Sequence, residues 1–293
     1  MKTIVLENQT TEGETLQATF APEKGLNLIS FKKGSTEVIE QSTWNLFDER
    51  YAGLGALIGP HFHRRRQESI PKIQDEALFP HIARVRSKGV QDPFSHGIAR
   101  YAPWKVEATP TSLKGVLTGK DTWNDLPLST LEGQNFKMEF KADLQPSGLL
   151  LNLSIVSDTD SLVGIHYYYA LPGSRGRLIT YVQNQVRIQG QLQPVPPEWS
   201  LDSQHKLIFD LSQEADFTFR PYPNPLQGDI LLETDSYALR TRYACVCEEN
   251  CWQLYHPADA SFVCIEPISS QDPRHPNLSI SELQIHLEIL NPP

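Results

Sequence analysis

Phe136-Lys-Met-Glu-Phe-Lys-Ala-Asp-Leu144 alternates apolar and charged side chains without a break. Successive side chains of a β-strand point to opposite faces. This period of two therefore buries Phe136, Met138, Phe140, Ala142 and Leu144 together and leaves Lys137, Glu139, Lys141 and Asp143 in water. A helix, repeating near 3.6, cannot sort these residues. The pattern returns at Leu283-Gln-Ile-His-Leu-Glu-Ile289, and strand-like runs recur at 26–32, 104–108, 149–156, 162–170, 178–189, 206–211, 230–232 and 261–265. Turn residues punctuate them, as in Gln145-Pro-Ser-Gly148, Leu171-Pro-Gly173 and Arg220-Pro-Tyr-Pro-Asn-Pro225. There is no long 3.6-period segment, tandem repeat or low-complexity linker. The expectation is an all-β chain: one large antiparallel two-sheet β-sandwich domain over residues 1–293.

The composition agrees. The 293 residues include 22 prolines and only 2 methionines, which suits many strands joined by rigid turns. With 26 Lys+Arg against 35 Asp+Glu, the net charge is −9. That balance argues against partners with anionic surfaces, nucleic acid or membrane, which require basic patches. No apolar run approaches the ~20 residues of a membrane-spanning helix. Residues 1–8 lack the apolar core of a secretory signal, so a cytoplasmic protein is expected.

Familiar chemical motifs are missing. Gly115-Val-Leu-Thr-Gly119-Lys120-Asp121 is one residue short of a phosphate loop, and Asp121 stands where Ser or Thr is needed. No Gly-x-Ser-x-Gly, Gly-x-Gly-x-x-Gly or His-Glu-x-x-His occurs. Cys245, Cys247, Cys251 and Cys264 lack paired zinc-ligand spacing, and Cys245 and Cys247 read as small buried hydrophobes sharing one strand face. His61-x-His63 with His81 and His96 is a weak metal pattern, because imidazole serves equally as a hydrogen-bonding group. No metal and no cofactor are expected.

Between residues 53 and 96 alternation fails, and Gly, Pro, His and Arg cluster around Arg64-Arg65-Arg66. A long irregular connection in a compact domain commonly lines a site. Phase offers a second pointer. His166 shares a strand face with Leu162, Gly164 and Tyr168, while Glu266 shares one with Phe262 and Cys264. A carboxylate on an apolar phase is expensive to bury unless something uses it. Spacing alone leaves other readings open: a satisfied core histidine, a glutamate at an exposed strand end. The His166/Glu266 phase is expected to face inward, although both faces are apolar.

Four patches resemble, in order, those of the aldose 1-epimerase (galactose mutarotase-like) family. They are Gly55-Ala-Leu-Ile-Gly59-Pro-His-Phe-His63-Arg64, then Ser95-His96-Gly97-Ile-Ala-Arg100 followed by Trp104, then Gly164-Ile-His166-Tyr-Tyr-Tyr-Ala-Leu-Pro-Gly173, and last Ser261-Phe-Val-Cys-Ile-Glu266-Pro267. The resemblance implies a galactose mutarotase-like supersandwich with a sugar cleft on the concave face of one sheet. It implies His166 as general acid and Glu266 as general base, on opposite sides of a hexose hemiacetal, with His96, Arg64 and Arg100 on the sugar. A binding aspartate is also implied. Asp216, in Ala215-Asp-Phe-Thr-Phe219, matches best, with Asp202 and Asp210 as rivals. His63 departs from the family's asparagine, and Tyr167 from the residue after its histidine.

The activity implied is interconversion of α and β anomers by acid–base ring opening and reclosure, by a monomer or homodimer. Alternatives are a hexose-phosphate mutarotase gripping phosphate through Arg64–Arg66 or Arg100, and a non-catalytic carbohydrate-binding protein. Neighbouring carboxylates are expected to keep His166 charged, and an apolar wall to raise the pKa of Glu266.

Overall fold

The computed structural model describes residues 1–63 and 70–293. Its strands pair antiparallel in two stacked sheets, as the alternation predicts. One sheet runs through Ile4–Gln9, Thr15–Ala21, Asn27–Lys33, Gly55–Ile58, Gly164–Ala170, Phe262–Ile268, Cys251–His256 and Ala215–Pro221. The other runs through Lys105–Ala108, Ser112–Thr118, Phe136–Gln145, Gly148–Ser161, Leu278–Leu290, Ala238–Cys245 and Gln227–Glu233. Arg177–Ile188 belongs to both. Its first half pairs with Gln227–Glu233 and Lys206–Asp210, its second half with Ala215–Pro221 and Gln191–Pro194.

The core lies between the sheets. Met138, Phe140, Ala142, Leu151, Leu153, Leu283 and Ile285 meet Leu16, Phe20, Phe31, Ile165, Tyr167 and Ile265 in one apolar cluster. Phe20 and Phe140 touch edge-on across the gap at 5.9 Å between ring centroids, a favoured aromatic geometry. Burying one such side chain removes enough apolar surface to contribute ~1.5–3 kcal/mol.

The phase expectation is corrected here. On Gly164–Ala170 the residues packed into the inter-sheet core are Ile165, Tyr167 and Tyr169, and on Phe262–Ile268 they are Val263 and Ile265. His166, Tyr168, Cys264 and Glu266 therefore face away from the core, toward a covering layer of loops and short helices. Both phases are buried because both faces of this sheet are covered, which is why hydropathy could not choose between them. A second correction concerns Cys247. The strand ends at Cys245, so Cys247 sits half-exposed in the following bend instead of sharing its buried face.

Regular helix is confined to short pieces, including Trp44–Arg50, His81–Ser87 and Leu128–Glu132. Apart from the strand Gly55–Ile58, residues 53–63 and 70–96 of the irregular stretch form part of the covering layer. Among the described residues no helix is long and apolar enough to cross a membrane.

Candidate active site

Strand register builds the site. Tyr167 lies opposite Ile265 and Gly164 opposite Ile268, which sets His166 beside Glu266. Glu266 lies opposite Gln253, Gln253 opposite Thr218, and Thr218 opposite Arg187. One row therefore crosses five strands: His166, Glu266, Gln253, Thr218, Arg187. Two residues along, a second row runs Tyr168, Cys264, Tyr255, Asp216. Residues two apart share a face, so both rows look away from the core, and every member except Glu266 and Cys264 lines a cavity of about 340 Å³. Small-molecule sites typically span ~300–1,000 Å³.

His166 lines this cavity, with Glu266 beside it on the neighbouring strand. Nδ1 of His166 is 3.4 Å from Oε1 of Glu266, too long for a hydrogen bond. Among the described residues neither that nitrogen nor either carboxylate oxygen has a hydrogen-bond partner. Glu266 is fully buried between His166 and Gln253, both of which line the cavity. The Tyr168 ring stacks on His166 at 5.0 Å and holds the imidazole plane. The two groups are too close to flank a pyranose on opposite sides; they face one edge of whatever binds.

Burial pushes the Glu266 carboxyl well above the usual range, opposed by the Arg100 charge. Burial likewise pushes His166 well below the ordinary imidazole value, and Arg100 adds to that push. The expectation that carboxylates hold His166 charged is thus not met: desolvation outweighs the single carboxyl beside it.

The opposite wall comes from the covering layer. Gly59 N–H donates to the His96 carbonyl at 3.0 Å, and Ala99 N–H to the Gly59 carbonyl at 3.0 Å. Gly97 makes this possible. Its φ is +91°, and a Cβ there would stand 2.0 Å from the Gly59 oxygen. His96, itself at φ +71°, is thereby turned into the cavity, its ring centroid 5.4 Å from that of His166. Burial depresses the His96 pKa, and its Nδ1 lies 2.7 Å from the Ser95 hydroxyl.

Arg100 is buried against the same space. Its Nε donates to the Tyr51 carbonyl at 3.2 Å, and among the described residues Nη2 has no hydrogen-bond partner. His63 also lines the cavity, its pKa lowered to about 4 chiefly by burial.

Asp216 lines the cavity from the second row, with Oδ1 accepting from Gln253 Nε2 at 3.1 Å. Burial raises its pKa. Its two rivals lie elsewhere: Asp202 accepts from the backbone N–H groups of Gln204 and Lys206, and Asp210 from that of Ser212, so both cap turns. Arg64 lies outside the described residues, as do Arg65 and Arg66. His166, Glu266, His96, Arg100 and Asp216 are thus brought together from segments up to 170 residues apart.

Sequence reasoning missed Gln253, Tyr255 and Thr218, whose alternation is legible but whose partners are not. It also missed what His61 does. Rather than joining His63, His61 is clasped by Glu132 at 2.5 Å and Asp92 at 2.7 Å. Glu132 additionally accepts from the Ile98 N–H at 3.0 Å, tying the loop before His63 to the turn that carries Arg100. His81 stacks on Tyr101 and Trp123, away from the cavity.

No protein-family model and no curated protein sequence matches the chain. Solved structures do. A galactose mutarotase-like protein from Lactobacillus casei superposes with a TM-score of 0.67 at 12% identity, over 98% of this chain and 100% of that one. A GalM/aldose epimerase homologue from C. elegans gives 0.67 at 13% identity over the whole of both chains. A galactose mutarotase-like protein from Clostridium acetobutylicum gives 0.61 at 14%, over 98% of each. This chain has the galactose mutarotase-like β-sandwich fold.

Proposed function

We propose that the chain is an aldose 1-epimerase acting on a hexose, with His166 and Glu266 as its proton-transfer pair. One observation carries the reading: two buried titratable groups stand side by side at a sugar-sized cavity, His166 lining it and Glu266 just beneath, and among the described residues their facing atoms have no hydrogen-bond partner. Leaving such groups unsatisfied costs stability, so they are retained where a ligand satisfies them.

The chemistry needs one acceptor and one donor. Opening a pyranose takes the proton from the anomeric hydroxyl and gives one to the ring oxygen. Both oxygens are bonded to the same carbon, so two groups on one edge reach them. Glu266 as carboxylate takes the first proton and His166 as imidazolium supplies the second. Rotation about the bond next to the carbonyl carbon presents its other face, and reclosure reverses both transfers. Opening converts an ion pair into an acid and a neutral imidazole without changing the pair's proton count. Burial favours that neutral pair, while the Arg100 charge favours the carboxylate and disfavours the imidazolium. Arg100 Nη2, His96 and Asp216 hold the ring hydroxyls.

A second reading has support. Arg50, Arg100, Arg187 and Arg274 all line the cavity, against the acids Asp216 and Asp272. A hexose phosphate fits such a wall, because guanidinium groups bind phosphate through charge-assisted bonds.

The test is polarimetry on freshly dissolved α-anomer. The wild-type chain should accelerate mutarotation. His166→Asn and Glu266→Gln should each lose about 10²–10⁴-fold in kcat. Full rates in both variants would remove the assignment, and sugar binding without acceleration would make the chain a carbohydrate-binding protein. A hexose 6-phosphate preferred over the hexose, with KM rising steeply in salt, would favour the second reading.

A further inference from the structure

Beside the proposed pair stands a side chain that the reaction does not use. Cys264 lies two residues before Glu266 on the same strand face, and its thiol is fully buried. One ligand atom from each of His166, Cys264 and Glu266 falls within 4.8 Å of the other two. His166 and Glu266 offer atoms without hydrogen-bond partners, on side chains more than nine-tenths buried. Imidazole nitrogen, thiolate sulfur and carboxylate oxygen are the donor set of zinc.

The spacing suits that ion. Tetrahedral zinc with bonds of ~2.0–2.3 Å holds its ligand atoms roughly 3.4–3.7 Å apart. His166 Nδ1 and Glu266 Oε1 are already 3.4 Å apart. The Cys264 sulfur lies within 4.8 Å of both ligand atoms, so about one ångström of closure at most completes the set.

We infer that the chain binds one Zn²⁺ through His166, Cys264 and Glu266, and that the bound ion blocks the sugar reaction. Charge supports this choice. A neutral imidazole, a thiolate and a carboxylate around a dication sum to zero, which is the composition a buried site tolerates. Binding replaces two protons, one from the Cys264 thiol and the one shared by His166 and Glu266, with no change of oxidation state. Three protein ligands leave a fourth position, which water can take. With Nδ1 and the carboxylate on the metal, neither group can move a proton. Binding stands independently, whereas inhibition rests on the proposed roles of the pair.

Chelator-stripped protein is titrated with Zn²⁺ against a competing indicator, and with Co²⁺ followed by absorption. Expected are one ion per chain, a thiolate-to-cobalt charge-transfer band, and mutarotation that falls with occupancy and returns on adding EDTA. Cys264→Ser should weaken binding at least about tenfold, abolish the band and leave zinc without effect on a retained mutarotation rate. Cys247→Ser, which alters the half-exposed thiol, should change none of these.

Absence of stoichiometric binding to the wild-type chain, or a band that moves with Cys247, overturns the site. The wild-type spectrum decides this even if the Cys264 variant folds poorly. Zinc bound through Cys264 in a chain that never mutarotates would overturn the proposed function and keep the site. Mutarotation indifferent to zinc would overturn the inference alone.

Discussion

His166 and Glu266 stand on neighbouring strands with Nδ1 and Oε1 3.4 Å apart, unbridged by any hydrogen bond. Register, not sequence proximity, makes them neighbours, and burial on both sides of the sheet sets their electrostatics. Each group is pushed toward its neutral form. The pair therefore holds one proton over a wide range of pH, and the behaviour of the protein in solution follows from that count.

Stability should show a plateau. From the ordinary values of 4.5 and 6.5, an unfolded chain also carries one proton on these two groups between those pH values. Folded and unfolded counts match there, so the pair adds no slope. Above pH 6.5 the unfolded groups lose that proton while folded Glu266 keeps it, so stability falls as pH rises. Below pH 4.5 the unfolded groups bind two protons against one in the folded state, so stability falls as pH drops. Each limb has a slope of ~1.4 kcal/mol per pH unit. Urea unfolding across pH should show Glu266→Gln flattening the alkaline limb and His166→Asn the acid limb, relative to wild type.

Arg100 should set the position of the activity profile. Its charge lowers the pKa of both Glu266 and His166. Removing it in Arg100→Gln raises both values, so carboxylate forms at higher pH and imidazolium persists to higher pH. Both limbs of the bell-shaped kcat/KM profile should move upward together. KM should rise about tenfold or more, because Nη2 no longer meets the sugar. A higher KM with an unmoved profile would separate binding from tuning.

The binding aspartate is tested by comparison. Asp216→Asn should raise KM by roughly 10–100-fold, the worth of a hydrogen bond to a charged group. Asp202→Asn and Asp210→Asn disturb turns remote from the cavity, so they should cost about 1 kcal/mol in stability and leave KM unchanged. Steady-state kinetics on the three variants decides among them.

Glu132 should matter to the whole covering layer. Its carboxylate joins His61 to the Ile98 N–H from a fully buried position. Glu132→Ala strands a buried histidine and a backbone donor, and should cost roughly 3–5 kcal/mol by denaturant unfolding. Glu132→Gln, which keeps the Ile98 bond, should lose less.

How much of this was legible in the residues divides along physical lines. Phe136–Gln145 and Leu278–Leu290 were readable because each has one wet and one dry face. Gly164–Ala170 announced itself as a strand, but with Ile165, Tyr167 and Tyr169 as apolar as the phase carrying His166, its cavity face was not readable. His61 is legible as a hydrogen-bonding imidazole, but its partners, Asp92 and Glu132, come from distant segments and carry no local mark.

The amino-acid sequence alone determined the all-β architecture and the spacing that puts Cys264 with Glu266, and His166 with Tyr168, on common faces. Alternation is a property of the local backbone, so any stretch of chain records it. The rows that cross His166, Glu266, Gln253, Thr218 and Arg187, the choice of core face, and the placing of His96 and Arg100 over the cavity were decided only in three dimensions. Those depend on which strands pair, at what register, and beneath which loops, and such choices minimise the free energy of the whole chain rather than of any segment.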